Sequence, residues 1–149
     1  MTLKKLQTDG RLKPHKTSKQ EIDELRGGVS VKLSDARSTS ISDDTRFTTA
    51  YGAALLLAKM ALACAGYRLD SRSGGHHVAA FEALPHCVGP AATPLAKYFE
   101  VCRRKRNEID YDRANVASRA DADEIVRQTE ALQLLVEDWI TKHHAAWSK

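Results

Sequence analysis

Apolar residues recur every three or four positions through most of this chain, which is the spacing of helices that bury one face. The first such stretch follows Thr17 or Ser18, either of which can cap a helix, and it continues to Ala36. Gly27 and Gly28 interrupt it. Because a glycine inside a helix costs about 1 kcal/mol relative to alanine, the stretch predicts either one bent helix or two short ones.

A second stretch, rich in alanine, predicts the central helix of the fold. Ser42 supplies an N-terminal cap, and the two aspartates that follow place negative charge where a helix start favours it. The helix is expected to run through Ala65 and to end at Gly66. Its small side chains let neighbouring helices approach closely. The apolar stripe consists of Phe47, Tyr51, Ala54, Leu55, Ala58, Leu62 and Ala65.

Prolines and glycines divide the next part of the chain. A loop is predicted over residues 67–75, followed by a short helix from His76 to about Leu84, just before Pro85. A fourth helix is expected to start near Pro94, because proline is tolerated in a first helical turn.

The C-terminal part predicts one more helix. Residues 110–117 are polar and indicate a loop, and Ser118 with Asp121 has the spacing of a capping box. We find no stretch with the alternation of a strand and no internal repeat. The predicted fold is all-α, an up-and-down bundle of four or five helices.

Composition indicates a single soluble domain with a distinct N-terminal segment. The 149 residues are 42% hydrophobic and 28% charged, unlike a disordered chain. The net charge of +4 lies in residues 1–16, and residues 17–149 hold 18 basic and 18 acidic side chains. We therefore expect a flexible basic tail over residues 1–16, with folding back onto the body as the alternative, and one helical-bundle domain over residues 17–149.

Several classes of protein are disfavoured. The most apolar run, residues 50–66, is shorter than the roughly 20 residues that span a bilayer and contains Lys59, so we expect no membrane association. The N-terminus lacks the apolar core of a signal peptide, which favours a cytoplasmic location. Three cysteines without CxxC spacing, Cys64, Cys87 and Cys102, favour buried free thiols over disulfides.

The sequence predicts no metal and no cofactor. The spacing of His76, His77, His86 and Cys87 fits no zinc pattern. The glycine pairs lack the surrounding spacing of a phosphate-binding loop.

One segment of the fourth helix has unusual chemistry, the consecutive cations Arg103, Arg104, Lys105 and Arg106. The apolar stripe of the helix continues in register to Arg106, which predicts that Arg106 points inward with Arg103 beside it, while Arg104 and Lys105 face outward. An inward guanidinium needs a carboxylate, backbone carbonyls or a bound phosphate. On spacing alone, a structural salt bridge within the bundle is favoured over a phosphate site.

The residues after this run resemble the motif of HEPN domains, small helical proteins often found in prokaryotic toxin and antitoxin pairs. In that motif an arginine, commonly followed by a polar residue, precedes a histidine by four to six residues. Arg106 and Asn107 match its first half. Tyr111 stands where the histidine is expected, and no histidine occurs between His86 and His143.

Other segments are similar to the same superfamily, and the likeness covers most of residues 18–141. These segments are Arg46, Phe47, Ala50 and Tyr51, then Gly66, Tyr67 and Arg68, then Gly75, His76 and His77.

The resemblance implies metal-independent RNA cleavage in a cleft where two subunits pair, and hence a homodimer with an antitoxin or a nucleotidyltransferase as a further partner. Arg106, helped by Arg103, is expected to stabilise the phosphorane, and Asn107 to orient the phosphate or the 2′-hydroxyl. Tyr111 is a poor base at pH 7, because an unperturbed tyrosine has a pKa of about 10. It is expected to donate a hydrogen bond, to stack on a base or simply to cap its helix.

Two functional hypotheses follow. The first is a dimer that binds RNA or another phosphate-bearing ligand, with or without cleavage. Its candidate catalytic residues are Arg106, Asn107 and Tyr111, and its candidate nucleic-acid contacts are Arg103, Arg104 and Lys105. The alternative is a non-catalytic interaction module in which Arg106 forms a structural salt bridge at the dimer contact.

Overall fold

A computed structural model describes residues 2–72, 75–111 and 114–149, except for the side chain of His76. These residues form six α-helices and one antiparallel pair of short strands, so the predicted all-α bundle is confirmed. The helices are α1 (Leu3–Thr8), α2 (Lys19–Arg37), α3 (Asp43–Cys64), α4 (His76–Val88), α5 (Thr93–Asp110) and α6 (Arg119–His143). The strands are β1 (Leu12–Pro14) and β2 (Tyr67–Leu69).

Helix α3 is the centre of the bundle, as its alanine content predicted. It packs against α2, α4, α5 and α6. It begins seven residues before the apolar run of residues 50–66. Its length and hydropathy meet the requirements of a membrane span. Of its most apolar window, 72% is buried inside the fold, as in the core helix of a soluble protein.

Helix α2 is one continuous helix, which decides between the two forms that its glycines allowed. The Ser18 side chain accepts a hydrogen bond from the Glu21 backbone N–H and caps its start. A Cβ atom at Gly28 would lie 3.0 Å from Leu56 Cδ1, so the glycine permits close packing of α2 on α3.

Helix α4 continues through Pro85 to Val88, and the prediction that it ends before Pro85 was wrong. Proline removes one helical hydrogen bond, but Leu84 is fully buried beside it and Cys87 packs against the core in the next turn. Burial of these side chains outweighs the lost bond. Gly89, with φ of +108°, then ends the helix.

Residues 2–16 fold back onto the body, which was the alternative to a flexible tail. Leu6 of α1 and Leu12 of β1 are buried in a small cluster with Leu62 and Ala83. Strand β1 pairs with β2, within the stretch predicted as a loop. A three-residue strand is too short for alternation to be visible in the sequence.

The three cysteines are free, as predicted. Cys64 and Cys102 are buried and Cys87 is partly buried. Burial raises the pKa of the Cys87 thiol to about 12 and that of Cys64 and Cys102 to about 11.

Candidate functional site: a cleft between the start of α4 and the end of α5

A cleft of about 370 Å³ lies between the N-terminal turn of α4 and the C-terminal half of α5. It is lined by Gly75, His77, Val78, Arg103, Arg106 and Asn107. Arg106 and Asn107 lie one helical turn after Arg103 on α5. Residues three and four positions apart share a helix face. The cleft therefore combines three of the predicted site residues with one histidine from another helix.

Both arginines of the cleft have carboxylate partners on their own helix. Arg103 donates from Nε and Nη2 to Glu100, with a shortest distance of 2.7 Å to Oε1. Arg106 Nη1 lies 2.9 Å from Asp110 Oδ2. The hydrogen bonds to Glu100 raise the pKa of Arg103, so this guanidinium is firmly cationic.

The Arg106 side chain is partly buried, in agreement with the prediction that it continues the apolar stripe of α5. Its side chain is 33% exposed, and its Cζ atom lies 5.9 Å from the centroid of the Tyr51 ring. Tyr51 is a core residue of α3. An aromatic face attracts a cation at this range, so α3 sets how deep Arg106 sits in the cleft.

Tyr51 also contacts the histidine of the cleft. The Tyr51 hydroxyl lies 3.4 Å from His77 Nδ1, and the two ring centroids are 5.8 Å apart. Burial raises the pKa of Tyr51 far above its usual value, against the opposing effect of Arg106 and Arg103. The phenol therefore stays neutral, and one buried side chain links Arg106 to His77.

The backbone of α4 favours an anion at this cleft. Gly75 precedes the helix in the left-handed conformation, with φ of +68°. His77 and Val78 follow in the first turn, where the positive end of the helix dipole lies. The guanidinium groups and the start of α4 therefore direct positive potential into one volume.

Three predicted contact residues lie outside the cleft. Arg104 is exposed. Lys105 was expected to face outward and instead pairs with Asp121 of α6, at 2.9 Å. Tyr111 caps the C-terminus of α5, where its backbone N–H donates to the carbonyls of Asn107 and Glu108. It is 82% exposed and is not among the residues that line the cleft.

Two arginines outside the cleft form mostly buried salt bridges between helices, which the sequence did not reveal. Arg46 is buried and donates to the carbonyl of Ala36 and to Asp123 of α6, each at 2.8 Å. Arg26 donates to both carboxylate oxygens of Glu137, at 2.6 and 2.9 Å. Helical spacing alone does not identify such pairs, because their partners are about 80 and 110 residues away.

The sequence did not identify His77, which lines the cleft, or Tyr51, which contacts both His77 and Arg106, as candidate site residues. Both occur in segments that resemble HEPN proteins, but His77 was considered only as a metal ligand. Among the residues described, no three His, Cys, Asp or Glu side chains lie close enough together to hold a metal ion.

A second cavity, of about 360 Å³, lies where α2, α3 and β2 meet. Its lining includes the cations Lys59 and Arg68, together with Glu21. Hydrogen bonds from Thr17 and His15 lower the pKa of Glu21, which therefore carries negative charge beside these cations. This cavity is less suited to an anion than the cleft between α4 and α5.

A family model described as SAV_6107-like HEPN matches residues 37–137, which is more than half of the chain. No curated protein and no solved structure matches significantly.

Proposed function

Since this chain belongs to the SAV_6107-like HEPN family, we propose that it binds RNA in the cleft between α4 and α5 and cleaves it without a metal ion. The observation that carries the proposal is the joint lining of this cleft by Arg103, Arg106, Asn107 and the first turn of α4.

The ion pairs of these arginines are easily exchanged for a phosphate. Both Arg103 and Arg106 pair with residues one turn away at the protein surface, an arrangement that contributes only about 0.3–0.5 kcal/mol. A phosphate accepts the same donors in a bidentate geometry with stronger, charge-assisted hydrogen bonds. The cleft can therefore admit a phosphodiester without breaking a contact between helices.

The remaining groups fit the chemistry of RNA. Asn107 offers both a donor and an acceptor beside Arg106, which suits a 2′-hydroxyl next to a phosphate. Arg106, held on the Tyr51 ring, is positioned for the charge that develops on a phosphorane. Arg104 and Tyr111, both exposed near the end of α5, remain candidates for contacts to neighbouring nucleotides.

Replacing Arg106 by alanine tests RNA binding. Loss of one guanidinium–phosphate contact is expected to weaken binding of a labelled single-stranded RNA about tenfold, measured as Kd by fluorescence anisotropy at fixed salt. The melting temperature should change little, because Asp110 is a surface partner on the same helix.

Arg127→Ala is the matched control for charge. Arg127 also pairs with a carboxylate on its own helix, Glu124, but lies on α6 away from the cleft lining. Equal weakening by both variants would indicate diffuse charge attraction and contradict the proposed site. No binding by the unmodified protein would contradict the proposed function.

A non-catalytic interaction module is the second candidate, and the outer surface of α5 favours it. Val101 is 64% exposed and Tyr111 is 82% exposed, so both side chains are available for contact with a partner. For this function Arg106→Ala should change the mass in solution, measured by sedimentation, while no RNA binds to the parent protein.

A further inference from the structure

We infer that His77 of α4 supplies the proton-transfer group that the missing histidine of the α5 motif leaves vacant, an inference that rests on the proposed function. Tyr111 occupies the position at which the motif of Arg106 and Asn107 would have its histidine. Tyr111 is not among the residues that line the cleft. His77 is 34 residues before Tyr111 in the chain and is the histidine among the described residues that line the cleft.

Two contacts with Tyr51 connect His77 and Arg106. His77 and Arg106 line the same cleft. His77 Nδ1 is 3.4 Å from the hydroxyl of Tyr51, and the ring of the same tyrosine is 5.9 Å from Arg106 Cζ. Tyr51 is 1% exposed and belongs to the central helix, so it is a rigid support for both groups.

The contact with Tyr51 is compatible with the form of histidine that the proposed reaction needs. When Nδ1–H donates to the Tyr51 oxygen, Nε2 carries the lone pair and is the basic nitrogen. The oxygen of the neutral Tyr51 hydroxyl can accept this hydrogen bond. Tyr51 is thus a positioning residue, and His77 is the proposed base.

The proposed step balances without a co-reactant. His77 Nε2 takes the proton of the ribose 2′-hydroxyl while its oxygen forms a bond to the adjacent phosphorus, and Arg106 faces the added negative charge. The bond from phosphorus to the 5′-oxygen breaks, and the imidazolium returns the proton to that oxygen. The products are a 2′,3′-cyclic phosphate and a 5′-hydroxyl end.

The test compares the full-length protein with His77→Gln on one labelled single-stranded RNA in the presence of EDTA, measuring Kd and the cleavage rate at saturating protein. His86→Gln is the matched control, because His86 is an exposed histidine on the same helix. We expect His77→Gln to bind with unchanged Kd and to cleave at least about 100-fold more slowly, and His86→Gln to match the parent.

Tyr51→Phe keeps the ring beside Arg106 and removes only the hydroxyl that contacts His77. It is expected to slow cleavage several-fold at unchanged Kd, and it covers the case in which His77→Gln does not fold. Cyclic phosphate ends, detected by mass spectrometry, identify the reaction as the proposed one.

The outcomes separate the two proposals. If the parent binds and cleaves but His77→Gln cleaves equally fast, or if the parent binds without cleaving, the role of His77 is overturned while RNA binding stands. If the parent does not bind RNA, the proposed function itself fails.

Discussion

The residues with which they pair divide four arginines of this molecule into two groups. Arg46 and Arg26 are mostly buried and join separate helices. Arg103 and Arg106 form ion pairs with carboxylates of their own helix, α5, and they border a cleft. The first pair is expected to control folding stability, and the second to control ligand binding.

Arg46→Ala should therefore destabilise the fold without weakening the intrinsic RNA affinity of the folded protein. Removing its Nε donor leaves the carbonyl of Ala36 without that partner in the buried contact between α2 and α3, a loss of about 1–3 kcal/mol. Urea unfolding monitored by circular dichroism measures this change. A stability equal to that of Arg106→Ala would contradict the division of roles.

The sequence singled out three of the six residues that line the cleft, namely Arg103, Arg106 and Asn107. The helical spacing of Arg106 from the apolar stripe and its adjacency to Asn107 are local properties, so both could be recognised. The contacts of Arg106 with Tyr51 and of Tyr51 with His77 depend on how α3, α4 and α5 pack. Residue spacing along one helix contains no such information.

Two adjacent glycines in α2 test how closely this helix packs on α3. Gly27 is exposed and a Cβ atom there would meet nothing within 4 Å, whereas at Gly28 it would lie 3.0 Å from Leu56 Cδ1. Gly27→Ala should raise the free energy of unfolding by about 1 kcal/mol.

Gly28→Ala should gain less than Gly27→Ala, because Leu56 must move to admit the added methyl group. Thermal or urea unfolding of the two variants measures the difference. Equal stabilisation by both would show that α2 does not pack on α3 as closely as described.

The sequence predicts a helix boundary where a capping residue lies next to it in the chain. It does not predict a boundary that depends on packing against other helices. Ser18, Ser42 and Ser118 each accept a hydrogen bond from a backbone N–H three residues later, and their short-range pattern was visible in the sequence. Pro85 did not end α4, because the surrounding side chains are buried. The pairing of β1 with β2 joins segments about 55 residues apart and gives no local pattern.

The charge count of the whole chain indicates that a site for an anionic ligand depends on where the fold places its basic side chains. Residues 17–149 have balanced charge, so positive potential has to be concentrated by the fold rather than by composition. The arrangement of α4 against α5 brings this about at the cleft, with α3 beneath it. The basic residues of the first 16 positions are a separate source of attraction for RNA.

Photo-crosslinking to a single-stranded RNA that contains 4-thiouridine, with the attachment sites mapped by mass spectrometry, therefore tests the proposed site most directly. We predict that crosslinks concentrate in peptides that contain residues 75–78 and 103–107, and that Arg106→Ala reduces them. Crosslinks confined to residues 1–16, or located around Lys59 and Arg68 at the second cavity, would contradict the assignment of the cleft between α4 and α5 as the RNA site.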